Sequence, residues 1–204
     1  MAIMQRLSRR VTLALAVAIP ATTMARGATT EEAGAFVDGL GQQTIAALDR
    51  IGKDADARQQ AISDLLNEAV DLERISRLCL GRHWRTASEA QREEYVRLFR
   101  DNVLAVLSRR MSHYTGGEKF VVTATRPAGE DAMVASQIIY ASNDPPLKIE
   151  WRVRVENGSP MIIDVLPEGV SLVLTYRSEF DEVISRNGLD GLLTELRNRA
   201  AKNA

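Results

Sequence analysis

Leu147, Ile149, Trp151, Val153 and Val155 alternate without a break with Lys148, Glu150, Arg152 and Arg154. No other stretch narrows the fold as far. Successive side chains of a strand point to opposite faces, so this segment has one apolar face and one charged, wet face. Strands of a parallel sheet are covered on both faces, whereas an antiparallel sheet leaves one to solvent. Asn157-Gly158 follows at once and suits a two-residue hairpin turn, leading into a fourth strand at 161–166. Two earlier runs, 120–125 and 133–140, flank a turn at 127–131 and end at Asn143-Asp144-Pro145-Pro146. The expectation is four strands in simple up-and-down order.

Helical spacing surrounds this sheet in the sequence. Thr29-Thr30-Glu31-Glu32 forms a capping box, in which threonine and glutamate satisfy orphan backbone donors. The helix it opens carries Phe36, Leu40, Ile45 and Leu48 and fades at Gly52. A second helix starts near Asp54 or Asp56, with Ile62, Leu65, Leu66 and Val70 on one side. Asp71 restarts the chain with Leu72, Ile75, Leu78, Cys79 and Leu80 inward, and Gly81 stops it. Ser88-Glu89-Ala90-Gln91 is a second capping box, opening a helix with Tyr95, Leu98, Phe99, Val103, Val106 and Leu107 at helical spacing. After the strands, 170–185 and 189–202 are helical, parted by Gly188. The fold class is α+β: a curved antiparallel sheet of about four strands with helices packed on one face. Residues 26–204 form a single domain.

The first 25 residues read as a secretory signal. Arg6, Arg9 and Arg10 precede a short apolar run, 11–19, and small residues follow at 21–25. Charge, apolar core and small-residue exit in that order are what export requires, and the run is shorter than the roughly 20 residues needed to span a bilayer. Cleavage is expected after Ala25. Ser8-Arg9-Arg10 also resembles the start of a twin-arginine signal, although the general secretory route is the main expectation. No cysteine follows the run to carry a lipid, so a soluble periplasmic product is expected. Of 26 Lys+Arg, the signal takes three and no acid, leaving 23 against 27 Asp+Glu. A mildly acidic surface argues against a nucleic-acid partner, which wants a basic stripe. Cys79 is the only cysteine, so packing rather than a disulfide must hold the chain.

Catalytic patterns are sparse. His83 and His113 have no metal-ligand spacing with Cys79, and no nucleophile elbow or phosphate-cradling glycine loop occurs. Cys79 sits on an apolar helix side, where cysteine behaves as a small hydrophobe. Asp164 interrupts an apolar strand, with Glu168 and Asp181 after it. It is either a catalytic base or a hydrogen-bonded structural acid. Trp84, just past a helix end, either anchors that helix or lines a cavity mouth.

Three ordered blocks carry a family resemblance. Leu80-Gly81-Arg82-His83-Trp84, followed by Thr86 and Gln91-Arg92, is similar to the LGRYW…T…QR segment of the periplasmic Mla-pathway (toluene-tolerance) lipid-carrier family. Asp164-Val165-Leu166-Pro167-Glu168-Gly169-Val170-Ser171 resembles its DV-x-x-EG-V-S stretch, and Arg177-Ser178-Glu179-Phe180 with Arg186-Asn187-Gly188 and Asp190-Gly191-Leu192 its RSEF…RNG…DGL ending. His83 departs from the usual tyrosine. The resemblance implies a soluble shuttle, not an enzyme, with bound phospholipid and no other cofactor. Its implied partners are an inner-membrane ABC transporter with an MCE-domain subunit and an outer-membrane lipoprotein–porin complex. The acyl tails would lie between helices and sheet. The inward strand sides and the 95–107 helix supply candidate pocket residues: Tyr95, Phe99, Val103, Leu107, Ile149, Trp151, Val153, Ile163 and Val165. Two other readings stand beside this one: a carrier of hopanoid-type polycyclic lipids, and a small periplasmic isomerase or hydrolase using Asp164.

Overall fold

A computed structural model describes residues 22–112 and 114–203. The expected export signal therefore lies mostly outside the described residues, as does His113. The elements run α1 (Thr22–Ile51), α2 (Ala55–Ala69), α3 (Leu72–Leu80), a 3-10 turn (Gly81–Arg85), α4 (Glu89–Met111), β1 (Lys119–Ala128), β2 (Asp131–Ile139), β3 (Leu147–Glu156), β4 (Ser159–Pro167) and α5 (Leu172–Asn203). The fold is α+β, with a four-stranded antiparallel sheet in the order β1-β2-β3-β4.

Local chemistry explains most boundaries. The Asp54 carboxylate accepts from Ala57 N at 3.0 Å and the Asp71 carboxylate from Arg74 N at 3.0 Å, opening α2 and α3. Ser88 and Gln91 form the expected capping box on α4. Asn157 (φ 54°) and Gly158 (φ 75°) form the hairpin turn, with the two positive φ values that a type I′ turn needs. Gly188 (φ 70°, ψ 176°) interrupts α5 where the sequence indicated.

Two boundaries differ from expectation. α1 is already helical at Thr22, the first described residue and well before the capping box at Thr29-Thr30. Met24, Ala25, Arg26 and Ala28 are strong helix formers with no proline among them, so helix continues back through the box. The β1–β2 turn is Gly129-Glu130, and Pro127 belongs to β1. β1 is an edge strand, where a residue without an N–H is tolerated.

Two apolar cores result. In the first, α1 lies on the sheet: Ala33 and Val37 pack with Phe120, Ala132, Val134, Val153 and Ile162. The close approach depends on Gly41, where a Cβ would stand 2.1 Å from the Phe120 ring. The second core is helical, built from Cys79, Leu80, Tyr95, Phe99, Phe180, Leu192, Leu193 and Leu196 of α3, α4 and α5. Val70 packs against both cores, and Asp71 N donates to Ile162 O at 3.0 Å, tying the helical layer to the β4 edge.

Candidate functional site: an apolar cavity beside α4

α4 changes character along its length. Its first half buries Tyr95, Leu98 and Phe99 completely. From Val103 onward Val103, Leu104, Val106 and Leu107 are apolar, yet none is buried. A cavity of about 290 Å³ opens along this side. α4 contributes Phe99, Asn102, Val103, Val106 and Arg109 to it, and α5 contributes Tyr176, Phe180, Leu196 and Arg199. The floor is aromatic: Phe99 meets Tyr176 and Phe180 edge-on at 6.0 and 6.3 Å. Asn102 ties the walls together, donating to Leu98 O at 2.7 Å and Leu196 O at 3.1 Å. A second cavity of about 220 Å³ lies between α1 and α2 and reaches Met111.

The structure parts the nine candidates between α4 and the sheet. Phe99 and Val103 line the α4–α5 cavity. Tyr95 is fully buried beside it, its hydroxyl donating to Ser76 O at 3.0 Å. Leu107 is half-buried further along α4. Ile149, Trp151, Val153 and Val165 lie on the sheet face beneath α1; Trp151 stands opposite Val134 and Val165. Its indole N–H donates to Ser136 Oγ at 2.8 Å, and its ring meets Phe120 at 6.2 Å. Ile163 is buried, but a register shift opposite Arg152 and Val153 makes Ile162 the residue that pairs with Val153 and joins the α1–sheet core. Strict alternation misses Ile162 for that reason. Tyr176, Phe180, Leu196, Arg109 and Arg199 were also missed as cavity residues; helical periodicity marks the apolar ones as inward without saying which face a void.

The groups with chemical potential are occupied structurally. Asp164 accepts from Val165 N at 2.8 Å, Ser171 Oγ at 2.5 Å and Val173 N at 3.1 Å, while Ser171 Oγ accepts from Leu174 N at 3.1 Å. These bonds fix the start of α5. Burial pushes the Cys79 thiol up to about 12, helped by Asp164 and opposed by Arg177. Among the described residues no cluster of three metal-ligating side chains occurs, and no helix is long and apolar enough to cross a membrane.

A sequence model of the family described as MlaC protein matches residues 39–198, well over half of the chain. The chain belongs to the MlaC family. Among its relatives, the intermembrane phospholipid transport system binding protein MlaC of Haemophilus influenzae is 22% identical over 172 residues, which cover 76% of this chain and 79% of that protein. The phospholipid-binding protein from Ralstonia solanacearum, solved in complex with a phospholipid, shares the fold with a TM-score of 0.70 at 21% identity, covering 86% of this chain and 98% of that one.

The three MlaC-like sequence blocks prove to be joinery. Gly81, at φ 58°, would bring a Cβ to 3.0 Å from Arg177 Nε of the RSEF block. The Arg77 and Arg92 guanidiniums lie 5.8 and 5.5 Å from the centre of the Trp84 ring, and Arg92 Nε donates to Trp84 O at 2.8 Å. This is the anchoring role rather than a cavity mouth. His83 Nε2 is 2.7 Å from Asp181 Oδ1, and Gln91 donates to Asp190 at 2.8 Å. The first and third blocks thus clasp α3, α4 and α5 together, and the middle block caps α5.

Proposed function

We propose that this MlaC-family chain is exported to the periplasm, where residues 26–204 carry one phospholipid at a time between membrane complexes. The observation that carries this reading is the C-terminal half of α4, which holds apolar residues beside an open cavity without burying them. Such surface is costly to leave in water and is retained when something apolar comes to cover it. Each methylene moved from water to an apolar wall contributes about 0.8 kcal/mol. A dry pocket therefore matches the solvation of a bilayer interior, and net direction is left to the partner machines. Those partners are an inner-membrane ABC transporter with an MCE-domain subunit and an outer-membrane lipoprotein–porin complex. The exchange serves the lipid asymmetry of the outer membrane.

Phospholipid as cargo is supported by the Ralstonia structure, which holds one in the same fold, and by the name of the Haemophilus relative. Val103 and Leu107 on α4 and Trp151 and Val165 on the sheet keep half-exposed apolar surface, so they are proposed to touch the tails directly. Tyr95, Phe99, Ile149, Val153 and Ile163 stand behind them as the packed wall. The hydrolase reading has no such support, because the Asp164 carboxylate is committed to the start of α5.

The test is transfer of a fluorescent phospholipid between donor and acceptor vesicles held apart. A carrier raises the rate in proportion to its concentration and returns the lipid unaltered. A rate independent of protein, or recovery of cleaved or isomerised lipid, contradicts the proposal.

A further inference from the structure

Six large apolar side chains stand exposed among the described residues, and four of them belong to one region. Val170 and Leu174, 59% and 61% exposed, and Leu172 flank the turn from β4 into α5. Leu78 belongs to α3, whose last turn packs on the same junction: Asp164, which caps α5, also acts on the Cys79 thiol, and Arg177 lies against Gly81. The bonds of Asp164 and Ser171 pin the turn, so its aliphatic side chains are held outward in fixed positions. Charge is also uneven here. Residues 72–85 carry four arginines and one acid, in a mature chain that is acidic overall. Arg77 and Arg177 are exposed and form no ion pair among the described residues. Of the acids alongside, Asp181 is held by Arg82 and His83, Glu179 by Arg199, and Glu168 accepts from Lys148 N at 2.9 Å. That leaves Glu73 against Arg77 and Arg177.

We propose that the β4–α5 junction and the end of α3 form a membrane-contact surface, with Leu78, Val170, Leu172 and Leu174 entering the headgroup boundary of a leaflet and Arg77 and Arg177 meeting anionic lipid phosphates. An exposed apolar patch rimmed by polar groups marks a protein or a lipid surface as its partner. Hot spots between proteins are rich in Trp, Tyr and Arg and poor in Leu and Val, whereas the exposed apolar side chains here are all aliphatic. Aliphatic side chains flanked by basic ones are what settles a peripheral element into the interface of an anionic bilayer. Each arginine near such a surface contributes about fivefold in affinity, so the contact stays reversible. None of these residues lines either cavity, so membrane contact goes beyond the carrier reading and is separate from where the cargo sits.

The experiment floats the full mature chain with vesicles of phosphatidylcholine, alone or mixed with phosphatidylglycerol. Binding to the mixed vesicles should be at least about tenfold stronger and should fall as salt rises. Val170→Ser with Leu174→Ser should weaken it by at least about tenfold and leave the lipid content of the purified protein unchanged. Arg77→Ala should weaken it by about fivefold. The site of contact is read with Leu174→Cys carrying a nitrobenzoxadiazole label, which the buried Cys79 does not take up. Its fluorescence should rise on mixed vesicles. The same label on Glu130→Cys, at the opposite end of the sheet, should not respond. Equal binding to both vesicle types, no binding to either, or unchanged binding in the double serine variant overturns the proposal. If that variant binds vesicles normally but loses lipid exchange with a membrane complex, the proposal is likewise overturned and the patch belongs to a protein partner. A wild-type chain that holds no lipid yet binds mixed vesicles sinks the carrier reading alone.

Discussion

Cys79 has no surface open to solvent. Its place on an apolar helix side indicated a small buried hydrophobe, and it is fully buried in the helical core with its thiol pushed up to about 12, chiefly by burial. Only the thiolate is reactive, so a thiol reagent at pH 8 should label Cys79 no faster than the protein unfolds. Labelling on mixing would contradict this placement. Cys79→Ala should cost about 1–2 kcal/mol in urea unfolding, as a small core truncation does. Asp164 left two roles open in the sequence, because the partners of a strand carboxylate lie elsewhere in the chain. The structure supplies three donors, two of them from the first turn of α5 and its flank. Asp164→Asn should lower stability by about 1–3 kcal/mol, since an amide cannot accept from all of them on both atoms. The folded fraction should still hold lipid. Unchanged stability with loss of a measurable turnover would restore the enzyme reading.

At the scale of elements, what was legible was whatever depends on a few consecutive residues. The caps at Asp54, Asp71 and Ser88, the stop at Gly81 and the Asn157-Gly158 hairpin all follow from local donors, acceptors and φ preferences. Cross-strand facts did not follow. Arg152 reads as a wet-face charge, and its side chain is half exposed, yet Arg152 and Arg154 together hold Asp131, whose side chain is 1% exposed. Their Nε atoms lie 2.6 and 2.5 Å from its carboxylate oxygens. Arg152→Ala leaves Arg154 in place and should cost little. Arg152→Ala with Arg154→Ala strands a buried carboxylate, and unfolding in urea should show a loss of about 3–5 kcal/mol. A double variant no weaker than the sum of two mild single ones would mean that water, not arginine, solvates Asp131. The register shift at Ile162 and the inward Leu78, which is in fact 41% exposed, were equally beyond sequence periods, because each depends on what the next layer offers.

The whole molecule is two apolar cores meeting at Val70, with a cavity on the side of α4 that its first half does not close. No pattern within α4 announces that void. It exists because residues 99–109 face residues 176–199, some seventy positions later, across a break at Gly188. The family blocks gave the overall organisation from sequence, since residues that clasp α3, α4 and α5 recur together in the family's signature. They do not line the cavity apart from Phe180, and so they located the fold rather than the cargo. Trp151 is the position that tests the proposed lipid contact on the sheet side. Its ring is half-buried, so Trp151→Ala should cost the empty protein less than the about 3–5 kcal/mol of a packed core truncation and should reduce retained lipid. Val153→Asp should expel lipid, because an unpaired carboxylate beside acyl chains is poorly solvated. The most direct measurement is the lipid content of the protein purified from periplasm without detergent, read by mass spectrometry of its organic extract. Close to one phospholipid per wild-type chain is expected, and clearly less in both variants. A wild-type extract with no lipid above that of an unrelated periplasmic protein would contradict it.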